Sequence, residues 1–144
     1  LSYLLDTNVV SEFRHQFPEP GVVAFLSAVE PSSVYMSVVT IMELHKGVAM
    51  LPAGKRHTEL ENWFILRMMP SFDGRILEID QATAAICGRL LGQRRLEPTI
   101  RRIMDFWLAA TALQHDLAVV TRNERDFGDL GVIVLHPWRV AEGK

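Results

Sequence analysis

Apolar and polar positions change period several times along the chain, and the changes predict an order of strands and helices. Tyr3, Leu4 and Leu5 form a short apolar run that stops at Asp6 and the turn-prone Thr7 and Asn8, the pattern of a buried strand. A helix is expected from there to about Phe13. Beyond Pro18 and Pro20, the residues Val22, Val23, Phe25, Leu26 and Val29 mark a second helix that stops before Pro31. Residues 33–36 can form another short strand. Ile41, Leu44, Val48 and Leu51 then recur at one helical face, which predicts a helix over about 40–51 closed by Pro52. A further helix is expected over 55–69, ended by Pro70, then a strand at 75–79 and a helix from about Gln81 to Arg94. Gly88 and Gly92 share a face of that helix, a spacing that hints at close packing against a neighbour. Pro98 restarts the chain, 105–115 reads as strongly helical with small residues at Ala109, Ala110 and Ala112, and 117–120 and 132–135 read as strands.

Helices that alternate with short, continuously apolar strands are the signature of a mainly parallel sheet covered on both faces. The expected fold class is therefore α/β with three layers, α/β/α. Functional side chains then belong at the carboxyl ends of the strands, where loops rather than packed faces can present them.

Composition narrows the picture. The 144 residues are 49% hydrophobic and 22% charged, with no repeat, charge block or long linker, so one domain over 1–144 is expected. Cys87 is the single cysteine, which rules out an intrachain disulfide and favours a reducing, cytoplasmic setting, with Cys87 a small core residue. No apolar run approaches the roughly twenty residues needed to span a bilayer, and the N-terminus lacks a signal-like pattern, so no membrane association is expected. The chain begins at Leu1, from which an initiator Met is expected to have been lost or to lie outside the numbering. Fifteen Lys and Arg against 17 Asp and Glu give a net charge of -2, which argues against a protein that grips nucleic acid through a global basic field.

Four acids stand in places that ordinary surface chemistry explains incompletely. Asp6 ends the first strand, where helix N-capping explains it as well as a functional role does. Glu43 lies in the apolar stretch Val38-Val39-Thr40-Ile41-Met42-Glu43-Leu44, and Thr40 with Glu43 matches a capping box. Asp105 falls inside Ile103-Met104-Asp105-Phe106-Trp107-Leu108, with Arg101 and Arg102 near enough for helical ion pairing. Asp126 follows the strand at 117–120, where a loop Asp is commonly a solvated cap. The joint pattern says more than any member, since two acids follow strands and two lie on helices that the same sheet would carry. If they converge, two carboxylates about 5 Å apart repel by about 3 kcal/mol at an effective dielectric near 20, and a divalent cation resolves that repulsion. Carboxylate oxygens without a Cys or His cluster suit Mg²⁺ or Mn²⁺. His15, His45, His57, His115 and His136 have no paired ligand spacing. A carboxylate-held Mg²⁺ can activate water and stabilise charge on a phosphodiester, which is nuclease chemistry.

At this point the chain resembles a PIN-domain ribonuclease, specifically the VapC- or FitB-like toxins of type II toxin-antitoxin systems. Leu4-Leu5-Asp6-Thr7-Asn8 is similar to the family's first motif and Thr40-Ile41-Met42-Glu43-Leu44 to its second. Asp105 ahead of Leu108-Ala109-Ala110-Thr111-Ala112 is similar to the third, Thr121-Arg122-Asn123 with Asp126-Phe127 to the fourth, and His136-Pro137-Trp138 to the usual terminal Pro-Trp. The resemblance implies a PIN-like fold and an acidic quartet of Asp6, Glu43, Asp105 and Asp126 that binds Mg²⁺ or Mn²⁺, the first and third directly. Asn8 and Thr121 match polar positions that support the site. It implies an endoribonuclease toxin that uses metal-activated water to leave 5′-phosphate and 3′-hydroxyl ends, a chemistry that leaves single-stranded DNA open as a substrate. The implied partners are RNA, an antitoxin whose C-terminal segment obstructs the acids, often with an Arg, a second copy in a homodimer, and operator DNA reached through the antitoxin. Phe106-Trp107 departs from the family's small or aliphatic pair and is expected to bear on the width of the groove.

Two other classes compete. A PIN-fold interaction module with little activity would act mainly through an antitoxin-DNA complex. An aspartyl phosphatase would want a second Asp two residues after Asp6, where Asn8 stands. Within the modest net charge, Arg89, Arg94, Arg95, Arg101 and Arg102 against Glu97 make a basic strip, equally readable as a solvated face or as a contact for RNA phosphates or a partner.

Overall fold

Tyr3 and Leu5 point to one side of the first strand and Leu4 to the other, and all three meet apolar partners. That two-sided burial is why the strand lacks a polar face. The computed structural model describes residues 1–95 and 97–138. In it, five strands form one parallel sheet: β1 (Ser2–Leu5), β2 (Val34–Ser37), β3 (Ile76–Leu77), β4 (Leu117–Val120) and β5 (Val134–Leu135), in the order β3-β2-β1-β4-β5. Leu4 pairs with Tyr35 on one side of β1, and Leu5 with Val120 on the other. Seven α-helical segments cover the sheet: α1 (Thr7–Glu12), α2 (Pro20–Ala28), α3 (Val38–Ala49), α4 (Lys55–Trp63), α5 (Met69–Ser71), α6 (Gln81–Arg94) and α7 (Ile100–His115).

Alternate strand residues feed two cores. Leu4, Val119, Tyr35, Leu77 and Val134 join Cys87 and Leu90 of α6 and Phe106, Ala109 and Ala112 of α7. Leu5, Val120, Met36, Ile76 and Leu135 join Val9 and Val10 of α1, Val22 of α2, Val48 of α3 and Phe64. The sheet is thus the middle of three layers, as the patterning predicts. Small side chains at Ala109, Ala110 and Ala112 are buried, and so is Cys87. Among the described residues no helix is long and apolar enough to cross a membrane.

Several boundaries differ from expectation. Helix α3 begins at Val38 rather than near Thr40, because Ser37 is its cap and accepts the Val39 N–H at 3.0 Å. Thr40 and Glu43 therefore form no capping box. Pro70 does not end the fourth helix: α4 passes into a π-helical turn (Phe64–Met68) and through Met69–Ser71. A wider turn shifts the ladder away from the N–H that proline lacks. Helix α7 starts at Ile100, five residues before Asp105, capped by the Thr99 hydroxyl. A Cβ added at Gly88 or Gly92 would meet nothing within 4 Å, so the paired glycines mark no close approach.

Candidate active site

Strand order reverses at β1, since the chain builds outward through β2 and β3 and then returns to lay β4 and β5 on the other side. Open parallel sheets place ligands outside the carboxyl ends of the strands at such a switch point. Asp6 and Thr121 are the first residues beyond the paired ends of β1 and β4, held in line by Asp6 N–H to Val120 O at 2.9 Å and Thr121 N–H to Leu135 O at 3.0 Å.

Asp6 is only 7% exposed, yet both oxygens are engaged. Oδ1 accepts the Thr7 N–H at 2.7 Å, which caps α1, and Oδ2 accepts the Thr121 hydroxyl at 2.7 Å and the Asn8 amide at 3.4 Å. The capping reading is thus correct but incomplete. Asn8 Oδ1 accepts the Arg122 N–H at 3.2 Å, and Thr121 Oγ1 accepts the Asn123 N–H at 3.0 Å. Asn8 and Thr121 therefore tie the start of α1 to the loop after β4, one residue either side of the same carboxylate.

Glu43 lies on α3, where its Oε1 accepts the Thr7 hydroxyl at 2.7 Å; Thr7 also reaches Thr40 Oγ1 at 3.3 Å. The sequence reading assigned Thr7 to a turn and Thr40 to a cap. Their actual work is to bring the second acid to the first. Asp105 lies on the second turn of α7, with 17% of its side chain exposed, and Asp126 in the loop after β4, with 42% exposed. The helical ion pair is real, Arg102 Nη1 lying 3.8 Å from Asp105 Oδ2, but the same guanidinium also approaches Asp126 at 3.9 Å and Asp129 at 3.5 Å.

Asp6 lies in the field of Glu43 and Asp126, and Asp105 in the field of all three other acids. Burial holds the Asp6 carboxyl above its ordinary value against the lowering effect of the Thr121 and Thr7 hydrogen bonds, and Glu43 and Asp126 add to the rise. Asp105 is pushed up to about 7, first by burial, then by Asp126 and Asp6, with Arg102 opposing and Glu43 adding. This excess of like charge in a half-buried site suits the charge of a divalent cation and oxygen-only coordination. Among the described residues, no three acid, imidazole or thiol groups are drawn close enough to hold an ion as they stand. The donor set thus fits such a cation in chemistry and charge, with the carboxylates standing farther apart than a closed coordination shell.

The remaining candidates are placed as follows. Phe106 is fully buried and lies beneath Arg102, the cation 5.2 Å from the ring centroid, and Trp107 packs against the first core. Phe106 therefore meets the site through Arg102, which lies over its ring. His45 packs on Phe64, His57 binds Leu51 O and Glu61, and His136 meets the Trp138 ring at 6.0 Å. Trp138 is buried in the second core with Arg122 5.5 Å from its ring centroid.

Comparison with known proteins places the chain in a family. The family model described as PIN domain matches residues 3–132. Toxin FitB of Neisseria gonorrhoeae is 38% identical over 135 residues, covering 94% of this chain and 97% of its own. VapC ribonuclease Y4jK of Sinorhizobium fredii is 33% identical over 138 residues, covering 96% and 99%. The crystal structure of FitAcB from N. gonorrhoeae aligns with a TM-score of 0.83 at 38% identity, over 94% of this chain and 98% of that one. The structure of FitAB bound to an IR36 DNA fragment aligns with a TM-score of 0.83 at 37% identity, over 94% and 95%. With alignments that run nearly the full length of both partners, the chain belongs to the PIN-domain family, alongside the FitB- and VapC-type proteins.

Proposed function

We propose that this chain is the toxin of a type II toxin-antitoxin system, one PIN domain over 1–144 that acts in the cytoplasm as a metal-dependent endoribonuclease. The observation that carries the reading is the shared field of Asp6, Glu43, Asp105 and Asp126, four carboxylates from four separate segments brought into electrostatic range at the sheet's switch point. Asp6 and Asp105 would hold Mg²⁺, or Mn²⁺, directly, with Glu43 and Asp126 acting beside them. When bound, the cation supplies an activated water and neutralises charge on the phosphodiester. Thr121, Asn8 and Thr7 orient Asp6 and Glu43 by their hydrogen bonds, so that the carboxylates need no rearrangement of their supports as charge develops. The Thr7 and Thr121 hydroxyls in the cluster donate to Glu43 and Asp6 and so serve as supports of the carboxylates, which suits attack by water. That a FitAB complex was solved on a DNA fragment supports an antitoxin partner and operator DNA reached through it; a second copy of the chain completes a homodimer in this reading. The antitoxin's contact with the acids would exploit the charge that otherwise attracts the cation.

The test compares RNA cleavage by antitoxin-free wild type and Asp6→Asn, both shown to be folded, with Mg²⁺ and with EDTA. Cleavage should require Mg²⁺ and should fall on the order of 100-fold or more in Asp6→Asn. Equal cleavage in all cases overturns the assignment. Persistent inactivity of the metal-loaded wild type on many RNAs would favour the interaction module instead.

A further inference from the structure

Arg102 is held far more firmly than a surface helix pair requires. Its Nη1 donates to the Asp126 main-chain carbonyl as well as approaching the Asp105 and Asp126 carboxylates, and its Nη2 faces Asp129. Beneath it lies the fully buried Phe106 ring. Only 27% of the side chain is exposed. An ordinary i,i+3 pair is worth a few tenths of a kcal/mol and leaves a long side chain mobile. Here one cation joins helix α7 to the loop after β4, between two members of the acid quartet.

We propose that Arg102 is an internal counter-cation of the acid cluster, which holds Asp105 and Asp126 together when no divalent ion is bound and gives up both when one binds, so that it sets the site's metal affinity. The proposal rests on the metal-site reading above. A guanidinium stays charged at any working pH, so it competes with a divalent ion for the same oxygens under all conditions. Two cations within a few ångströms repel strongly in a half-buried site. Asp129 offers the displaced guanidinium a place to stay. Its carboxylate is the nearest of the three at 3.5 Å, and Arg94 steadies it from the other side, Nε lying 3.7 Å from Asp129 Oδ2. Arg102 can keep that contact and its seat on Phe106 while it releases Asp105 and Asp126.

The test is a titration of Mn²⁺ into the full antitoxin-free chain, read as loss of the free-ion electron paramagnetic resonance signal, for wild type, Arg102→Gln, Arg102→Lys, Asp129→Asn and Asp105→Asn, each checked for folding by circular dichroism. Arg102→Gln should bind Mn²⁺ roughly tenfold tighter and Arg102→Lys within about twofold of wild type, because only the first removes the competing charge. Asp129→Asn should bind severalfold more weakly, since the guanidinium is left with the site carboxylates alone. It gives an answer even if Arg102→Gln does not fold. Unchanged or weaker binding by Arg102→Gln, or unchanged or tighter binding by Asp129→Asn, overturns the counter-cation while Asp105→Asn still abolishes binding. Wild type that binds no Mn²⁺, or Asp105→Asn that binds as well as wild type, overturns the metal-site reading and this proposal with it.

Discussion

At the scale of single residues, one carboxylate does two jobs. Asp6 caps α1 through Oδ1 and engages Thr121 through Oδ2, so its capping role and its place in the acid cluster require the same position. Asp105 has no such supporting bonds, and its raised pKa has a consequence for stability. The folded, metal-free chain keeps the Asp105 proton to about pH 7, whereas an unfolded Asp releases it near 3.8. Between those values the folded state binds more protons, so the stability this group contributes is present below about pH 4 and is lost as pH rises to 7. Asp105→Asn removes that loss. In EDTA, its midpoint of thermal unfolding should exceed that of wild type at pH 8, by about 1 kcal/mol or more in stability, and the gap should close towards pH 4. Parallel pH profiles for the two proteins would refute this account. The acids were legible in sequence because carboxylates in apolar stretches are conspicuous. The helical pair of Arg102 with Asp105 was legible too, but the distant partners of Thr7 and Arg102 were not. Thr7 Oγ1 finds Glu43 36 residues away and Arg102 finds Asp126 24 residues away, and only tertiary structure creates those pairs.

At the scale of elements, types were readable and boundaries were not, for reasons that can be named. Thr40-x-x-Glu43 fits a capping box as well as any such tetrad does. The sheet decides otherwise, because β2 ends at Ser37 and the chain can turn into α3 there. Pro70 was expected to stop a helix, but the π turn before it moves the ladder, with Phe64 and Met68 buried on the core side. The Gly88 and Gly92 pair shows the opposite failure, a pattern with no packing behind it. Gly88 is exposed within α6, and a Cβ there meets nothing within 4 Å. Gly88→Ala should therefore stabilise the protein by about 0.5–1 kcal/mol, measured by urea unfolding, since alanine lowers the entropy lost on forming the helix. Destabilisation would mean that the face is in fact covered by a neighbour.

At the scale of the whole molecule, periodicity established a parallel sheet between two helical layers, but strand order was beyond it. Short apolar runs of similar composition do not specify which neighbour each takes; pairing depends on the packing of helices across the sheet. The charge distribution also changes meaning once folded. The basic strip is not uniform, because Arg94 and Arg102 are turned inward onto Asp129 and the acid cluster, leaving Arg89, Arg95 and Arg101 exposed. Any contact with RNA phosphates on this face belongs to those three. Arg95→Gln with Arg101→Gln should lower the slope of log binding constant against log salt by about 1.4, measured on single-stranded RNA with a cleavage-deficient Asp6→Asn background. An unchanged slope would assign the strip to solvent.

The dispersal of the quartet along the chain governs when chemistry first becomes possible. Residues 6, 43, 105 and 126 meet only after β4 has entered beside β1 and the loop beyond it has docked on α7. A ribosome that has made the first hundred residues has made three strands with Asp6 and Glu43, but neither Asp105 nor Asp126. Translation of such a nuclease is therefore safe for the messenger that encodes it until the final third of the domain has emerged and folded. The same arrangement disarms any fragment cut between Glu43 and Asp105 once its halves separate.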